Sequence, residues 1–207
     1  MKASGRQPPG KVRIIAGRWR NTRLPVPDRP GLRPTADRVR ETLFNWLQPV
    51  LPGARVLDLF AGTGALGFEA GSRGAAEVVM VERDPELAAS LRETAARLKA
   101  GNVTVECADA LAWLRRPSPA RFDLVFLDPP FAAGLWTQAL DGLVPWLAPG
   151  ARVYVESPAD DVPSAPPGWL LLREGRTREV RYALYRLPDG APATLTPAHD
   201  PKDAPTA

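Results

Sequence analysis

The sequence predicts an α/β protein, in which a parallel Rossmann-like sheet is covered by helices on both faces and preceded by a β-hairpin. Three observations predict it. Apolar strand-like runs and helical stretches alternate from residue 55 to residue 147, and a glycine-rich turn joins the first of these strands to a helix. The length of 207 residues is enough for one such domain and too short for two of ordinary size. We therefore expect a single seven-stranded domain with short appendages.

Five apolar runs have the length of buried parallel strands. They lie at 55–59, 77–82, 103–107, 123–127 and 151–156, with helical stretches near 65–73, 85–99, 109–115 and 134–147. Two further runs, Trp169–Arg173 and Val180–Arg186, are joined by a short connection that contains glycine, so we expect them to pair antiparallel at one edge of the sheet. Together these runs supply the seven predicted strands.

Before the domain, the extended segments Val12–Ala16 and Thr22–Val26 flank a turn and predict a hairpin. We expect a basic surface there with one ring for stacking; its residues are Arg13, Arg18, Trp19, Arg20 and Arg23. Residues 1–40 hold 11 Lys and Arg against 2 Asp and Glu, whereas residues 41–207 hold 16 against 21. This distribution is typical of a protein that contacts nucleic-acid phosphates.

The hairpin and the main domain are joined by a proline-rich stretch, which keeps the chain extended. A helix follows that Thr35 or Asp37 can cap. Its packing face is predicted to hold Val39, Leu43, Trp46 and Leu47, with Arg38 and Arg40 lying elsewhere. We divide the chain into a basic arm at 1–34 that contacts RNA, a main domain at 35–187, and a proline-rich tail at 188–207 that we expect to be disordered.

The glycine-rich turn follows the first predicted strand. Gly62, Gly64 and Gly67 match G-x-G-x-x-G, a pattern that by itself is compatible with a dinucleotide. Asp58 ends the strand immediately before the turn. A carboxylate at that place repels a pyrophosphate but pairs with an ammonium group. Because S-adenosylmethionine carries an ammonium group and no phosphate, we interpret the turn as its binding site.

Two further strand ends carry acidic residues. Glu82 ends the second strand, where a carboxylate accepts hydrogen bonds from ribose hydroxyls. Asp109, next to Ala110, either meets the adenine amino group or caps the following helix, and the sequence leaves both roles open. The residues predicted here to bind the donor are Asp58, Phe60, Gly62, Thr63, Gly64, Glu82, Asp109, Ala110 and Asp128.

The fourth strand runs directly into the tetrapeptide Asp128–Phe131, Asp-Pro-Pro-Phe. The two prolines end the strand and fix the loop, which leaves the Asp128 side chain and the Pro129 carbonyl as rigid acceptors. Acceptors of this kind hold the hydrogens of a flat exocyclic amine, so that its nitrogen pyramidalises and aligns with a sulfonium methyl group. Phe131 is expected to stack on an extruded base. We interpret Asp128, Pro129 and Phe131 as catalytic residues.

The composition argues against several other functions. Cys107 is the only cysteine and His199 the only histidine, so we expect no internal disulfide, no His-dependent triad and no metal site. Cys107 lies inside a predicted strand, which disfavours methylation at a pyrimidine C5, since that reaction needs a cysteine nucleophile. No apolar run has the length of a membrane span and no signal-peptide pattern is present, so we expect a cytosolic protein.

Four segments give the chain a close resemblance to the RsmD family of bacterial 16S ribosomal RNA guanine-N2 methyltransferases. They are Arg13–Arg20, Gly31–Leu47, Asp58–Gly64 and Asp128–Phe131, within a similarity that runs from about Val12 to Arg186. Gly31–Leu47 is long and distinctive, whereas the last two segments occur in many methyltransferases. Two features depart from the family: Ala16 stands where glycine is expected, and the proline-rich tail has no recognised counterpart.

The resemblance implies a seven-stranded methyltransferase fold, S-adenosylmethionine as the donor, and the N2 of one guanine in 16S RNA as the acceptor. It also implies a substrate presented on an assembled or assembling 30S particle, and we expect a monomeric enzyme. By the same resemblance, the segment around Arg33, Thr35, Asp37 and Arg38 closes over the methionine end of the donor. Arg33 is also expected to contact RNA.

Three alternatives remain open. A nucleotide-dependent oxidoreductase would use the glycine turn but gives no role to Asp128–Phe131. A non-catalytic RNA-binding module would act through the basic hairpin, although the intact Asp58, Glu82 and Asp128 argue against it. The third alternative keeps the chemistry and changes the acceptor to adenine N6 or cytosine N4, in RNA or DNA. The acceptors at Asp128 recognise an amine rather than a ring, so only the resemblance selects guanine.

Overall fold

The computed structural model describes residues 12–26, 37–117 and 121–189. The strands are β1 (Val12–Arg13), β2 (Arg23–Leu24), β3 (Arg55–Asp58), β4 (Glu77–Glu82), β5 (Val103–Cys107), β6 (Phe122–Leu127), β7 (Leu147–Pro158), β8 (Leu170–Arg176) and β9 (Val180–Arg186). The helices are α1 (Asp37–Leu47), α2 (Ala65–Ser72), α3 (Pro85–Arg97), α4 (Ala110–Leu114) and α5 (Trp136–Leu143). The predicted site residues Arg33 and Thr35 and the tail from residue 190 onward lie outside the described residues.

The sheet has seven strands in the order β5-β4-β3-β6-β7-β9-β8. The first five are parallel, and β9 and β8 continue the sheet as antiparallel strands. Strand order reverses between β3 and β6, so the loops that follow these two strands diverge and leave a crevice at the carboxyl edge. The predicted α/β class, the seven strands and the antiparallel edge pair are confirmed.

The segment before β7 differs from the prediction of one helix over 134–147. Helix α5 ends at Leu143, a 3₁₀ turn covers Val144–Trp146, and β7 begins already at Leu147. Pro145 explains the early end, because it has no N–H to continue the helical hydrogen bonds. The longer β7 keeps its pairing with β6 despite a register shift between Phe122 and Leu124.

Two apolar layers cover the sheet. On one face lie the hairpin β1–β2, α1, α2 and α3, and the ring of Phe44 meets Phe126 of the central strand edge-to-face at 5.9 Å. On the other face lie α4 and α5, with the rings of Trp113 and Trp146 stacked at 4.2 Å. Burial of aromatic rings of this size contributes about 2 kcal/mol each, so both layers hold the strand ends in place.

Arg40 corrects the prediction for α1, because its side chain is completely buried rather than turned away from the packing face. It lies one turn before Phe44 and therefore on the same side of the helix. Its Nη2 donates to the carbonyl of Arg13 at 3.0 Å and to Asp37 Oδ1 at 2.7 Å. Nε and Nη1 have no hydrogen-bond partner among the described residues. Arg40 thus joins α1 to the hairpin.

The hairpin is also anchored on α2. The carboxylate of Glu69, which is fully buried, accepts hydrogen bonds from the backbone N–H of Ile15 at 2.6 Å and of Ala16 at 3.0 Å. It also pairs with Nε of Arg73 at 2.6 Å. A buried carboxylate needs such partners to offset its desolvation, so the hairpin packs as part of the domain.

Within the described residues no helix is long and apolar enough to cross a bilayer.

Candidate donor and acceptor sites at the switch point

The donor side of the crevice is the turn between β3 and α2. Asp58 is 2% exposed, and its Oδ2 accepts the backbone N–H of Gly67 at 2.9 Å. A Cβ atom at Gly67 would lie 3.1 Å from this oxygen and 2.6 Å from Cε of Met80. Glycine at position 67 therefore lets α2 start close enough to hold the carboxylate.

Burial raises the pKa of Asp58 to about 7, the Gly67 hydrogen bond opposes this rise, and the charge of Glu82 adds to it. No cationic side chain of the described residues forms an ion pair with Asp58. A buried carboxylate with a like charge nearby is stabilised by a cationic ligand. The site thus fits the ammonium group that the sequence led us to expect.

Glu82 holds the glycine turn against the end of β4. Its Oε2 accepts the N–H of Gly62 at 2.8 Å and its Oε1 accepts the N–H of Asp84, also at 2.8 Å. Each carboxylate oxygen has a second acceptor position, so the predicted contact with ribose hydroxyls stays compatible with this geometry. Gly64 has a left-handed backbone, with φ of 73°, immediately before α2.

The remaining predicted donor contacts lie around this turn. Phe60 is half-buried and Thr63 is buried. Asp109 caps α4, because its Oδ1 accepts the N–H of Ala112 at 2.9 Å. The capping role that the sequence left open is therefore present; Asp109 itself is exposed and Ala110 is buried, and contact with adenine stays a prediction.

Asp37 and Arg38 belong to the first turn of α1. Because Leu47 ends α1 shortly before β3 begins, and Phe44 lies over Phe126, this first turn points to the carboxyl edge of the sheet. The Asp37 carboxylate is engaged within the protein, with Arg40 at 2.7 Å and with Nε of Arg13 at 3.8 Å. Arg38 is exposed. Contact of either side chain with the donor stays a prediction.

The acceptor side of the crevice follows β6. Asp128 is half-buried, Pro129 is buried, and Pro130 is exposed. Burial raises the pKa of Asp128 well above its usual value, and the charges of Glu156 and Asp58 raise it further. Phe131 is 37% exposed, and its ring packs against that of Trp136, with the two ring centroids 5.8 Å apart. The predicted acceptor and the exposed ring therefore stand together beside the donor turn.

Glu156 is a site residue that the sequence analysis missed. It lies in β7 directly beyond the pairing of Leu127 with Val155, and it is 4% exposed. The signal was present, because an acidic residue near the carboxyl end of a parallel strand is the same feature that identified Asp58 and Glu82. In the described part of the chain, these acids form no group that would hold a metal ion.

The basic hairpin has a different arrangement from the predicted one. Trp19 is 6% exposed and packs edge-to-face on Phe68 at 6.4 Å, so the prediction that its ring stacks on RNA is wrong. Packing on the apolar surface of α2 removes the indole from water, and the hydrophobic effect favours this position over an exposed one. Arg18 lies over the Trp19 ring at 4.5 Å and binds Asn102 Oδ1 at 2.7 Å.

The turn of the hairpin lies at the amino edge of the sheet, since Arg18 N–H donates to the carbonyl of Ser72, the last residue of α2. The open end lies nearer the donor turn, where Pro25 lines one small pocket with Gly62 and Thr63. The arginines predicted to contact RNA within the described hairpin all remain exposed; they are Arg13, Arg18, Arg20 and Arg23.

Comparison with known proteins places the chain in a family. Residues 12–186 match the family model described as Conserved hypothetical protein 95. Ribosomal RNA small subunit methyltransferase D of Escherichia coli K12 is 47% identical over 90% of this chain and 95% of its own length. The protein of the same name from Haemophilus influenzae is 46% identical over 86% of this chain and 94% of its own length.

The fold agrees with that relationship. The solved structure of the putative methyltransferase yhhF from Escherichia coli superimposes with a TM-score of 0.80 and 46% identity, over 87% of this chain and 100% of that one. The four segments that resembled the RsmD family lie within the residues that the family model matches. The chain therefore belongs to the family described as Conserved hypothetical protein 95, and its resemblance to the RsmD methyltransferases is confirmed.

Proposed function

We propose that this chain transfers a methyl group from S-adenosylmethionine to the exocyclic N2 of a guanine in the 16S RNA of the small ribosomal subunit. One observation carries the proposal: Asp58, which ends β3, pairs in register with Phe126 of the neighbouring strand β6, two residues before Asp128, so the two acids lie on either side of the switch point. A cationic donor and an amine acceptor are thus bound side by side. The names of the relatives and the identity over nearly the whole chain support ribosomal RNA as the substrate.

The donor is held by the turn between β3 and α2. Asp58 pairs with the ammonium group, Glu82 accepts from the ribose hydroxyls, and the glycine backbone lets the ligand lie against the turn. When bound, S-adenosylmethionine supplies an electrophilic methyl group on a sulfonium. The oxidoreductase alternative is disfavoured, because the buried Asp58 carboxylate would repel a pyrophosphate.

The acceptor amine is held by Asp128 and the carbonyl of Pro129. Hydrogen bonds to both N2 hydrogens localise the nitrogen lone pair, which is otherwise delocalised into the ring, and aim it at the methyl carbon. As the C–N bond forms, the amine loses one proton. Asp128, which already holds one of the N2 hydrogens, accepts that proton. Phe131 stacks on the base and keeps it out of its own strand.

RNA is recruited by charge. Arg13, Arg20 and Arg23 are exposed on the hairpin, and cationic side chains there attract phosphates and release counterions. We place Arg18 and Arg33 in the same surface, and the arm at 1–34 in the RNA-contacting part of the chain, with 35–187 as the methyltransferase domain. We propose that the enzyme acts in the cytoplasm, as a monomer, on an assembled or assembling 30S particle.

The experiment that tests this function uses small subunits from a bacterium that lacks its own copy of the enzyme. The full chain is incubated with these subunits and with S-adenosylmethionine labelled in the methyl group, and the modified nucleoside is then identified and mapped. Labelled N2-methylguanosine at one position is the expected product. Label in N6-methyladenosine or N4-methylcytidine would change the acceptor, and no label in RNA together with no affinity for the donor would refute the proposal.

A further inference from the structure

An acceptor for an amine does not select guanine, because adenine and cytosine also carry a flat exocyclic amine. The three bases differ at the ring nitrogen beside it. In guanine this nitrogen, N1, carries a hydrogen and is a donor, whereas N1 of adenine and N3 of cytosine are acceptors. The protein group that lies next to the Asp128 acceptor therefore decides which base fits.

That neighbouring group is Glu156. Leu127, the last residue of β6, is paired in parallel register with Val155 of β7, so Asp128 and Glu156 are the next residues along two neighbouring segments. Side chains at equivalent positions of parallel strands point to the same face. The two carboxylates also interact electrostatically, since the charge of Glu156 contributes to the raised pKa of Asp128. Glu156 thus presents a second acceptor beside the first.

The Glu156 carboxylate is held in a fixed orientation. The hydroxyl of Tyr154 donates to its Oε1 at 2.7 Å, and Nε1 of Trp136 donates to its backbone carbonyl at 2.7 Å. Trp136 also supports the ring of Phe131. One buried network therefore positions both the carboxylate and the aromatic ring, and a preorganised group of this kind gives the strongest discrimination.

We propose that Glu156 is the specificity-determining residue of the acceptor site and accepts the N1–H of guanine while Asp128 and the Pro129 carbonyl accept the N2 hydrogens. This inference rests on the proposed function and adds the group that selects the base. Guanine offers N1–H and N2–H donors in a row, which match two adjacent carboxylates. Adenine or cytosine would turn the lone pair of a ring nitrogen towards the Glu156 carboxylate. The two acceptors would repel each other and form no hydrogen bond, which is costly in a site shielded from water.

The test uses a base analogue that separates the two contacts. 2-Aminopurine keeps the amine at C2 but lacks both the hydrogen on N1 and the oxygen at C6, so the effect of a Glu156 variant on the ratio isolates the N1 contact. Small subunits are reconstituted with 16S RNA that carries either guanine or 2-aminopurine at the mapped position, and kcat/KM is measured for both. For the wild-type enzyme we expect guanine to be preferred by about 10- to 100-fold, the range of one specific hydrogen-bonded base contact.

The same ratio is then measured for Glu156→Gln. A glutamine at this position keeps an oxygen for the Tyr154 hydroxyl and presents an amide N–H to the bare N1 of 2-aminopurine. We expect the preference for guanine to fall at least about tenfold or to reverse, because the variant alters the contact that the analogue alters. Tyr154→Phe, which removes the hydroxyl that orients Glu156, should shift the ratio in the same direction by a smaller factor.

Glu77→Gln is the matched control, since Glu77 lies at the amino end of β4, where it pairs with Arg55 at 2.9 Å. Its ratio should equal that of the wild type. An unchanged ratio in a Glu156→Gln enzyme that binds S-adenosylhomocysteine normally overturns the assignment, as does a wild-type enzyme that accepts both bases equally. If Glu156→Gln does not fold, the ratio for Tyr154→Phe decides. Failure of the proposed function is seen separately, as the absence of N2-methylguanosine in the wild-type reaction.

Discussion

The carboxylate of Asp58 and the backbone N–H of Gly67 are joined by a 2.9 Å hydrogen bond that closes the glycine turn. The carboxylate keeps a pKa of about 7 despite this bond, so its charge changes near neutral pH. An ammonium group binds well only to the ionised form. The pH dependence of donor binding therefore reports directly on this residue.

As the pH is raised, we expect the affinity for S-adenosylhomocysteine to increase about tenfold per pH unit until about pH 7 and then to level off. The reason is that binding requires loss of the Asp58 proton. Isothermal titration calorimetry between pH 5.5 and pH 7.5 measures this. Asp58→Asn should bind more weakly and with little pH dependence over this range. A wild-type affinity that is constant with pH would contradict the assigned ammonium contact.

Asp58 also affects the stability of the ligand-free protein. A rising pH increases donor affinity through this residue, but it decreases the folding stability. Its folded pKa of about 7 lies above the unfolded value of 3.8, so the folded state binds more protons between these values and loses stability as the pH rises through them. We expect Asp58→Asn to be more stable than the wild type at pH 8, by on the order of 2–4 kcal/mol, and to lose that advantage near pH 4. Urea unfolding at both pH values checks the sign; a pH-independent difference would contradict it.

Asp128→Ala should reduce kcat by about 100-fold or more and leave the affinity for S-adenosylhomocysteine nearly unchanged, because the acceptor acts on the amine during the reaction. Asp128→Asn keeps one oxygen acceptor and should lose less. Single-turnover methylation and calorimetry separate the two effects. Near-normal rates for the alanine variant would remove Asp128 from the catalytic residues.

Neutralising the exposed arginines of the hairpin should weaken RNA binding and reduce its dependence on salt. The variant replaces Arg13, Arg18, Arg20 and Arg23 by glutamine, and each lost phosphate contact lowers the slope of log K against log salt by about 0.7–0.9. Filter binding to small subunits at several salt concentrations measures this slope. Unchanged slopes would show that RNA lies on another surface.

Trp19→Ala should act on stability, since the indole is buried against α2 rather than offered to a base. We expect a loss of about 3–5 kcal/mol in the free energy of unfolding, the usual cost of deleting a buried tryptophan. Urea denaturation measures it, and Trp19→Phe serves as the milder control. A stable Trp19→Ala protein with weakened RNA binding would instead restore the stacking role.

Much of the architecture was predictable because it depends on local periodicity. Buried parallel strands are continuous apolar runs, and a parallel sheet places their carboxyl ends together at one edge. The acids at Asp58, Glu82 and Asp128 could therefore be assigned to one site from their positions at strand ends. The prolines after Asp128 likewise fixed the place where β6 stops.

The residues that sequence reasoning placed wrongly depend on contacts between distant segments. Arg40 is polar, yet it is buried because the carbonyl of Arg13 and the carboxylate of Asp37 lie around it. Trp19 is surrounded by arginines in the sequence, but α2 offers it an apolar surface. Glu156 lies near a strand end as Asp58 and Glu82 do, but only the register of β7 on β6 places it beside Asp128. None of these partners is visible in a local window of the chain.

The strand order has a further consequence for changing the enzyme. Asp58 and Glu82, both assigned to the methyl donor, end β3 and β4, whereas the residues assigned to the base follow β6 or lie in β7, on the other side of the reversal. We therefore expect substitutions at Phe131 or Glu156 to affect the base site more than the donor site. Laboratory evolution of residues in β7 and in the loop after β6 is therefore expected to change the target nucleotide while the donor site keeps its structure.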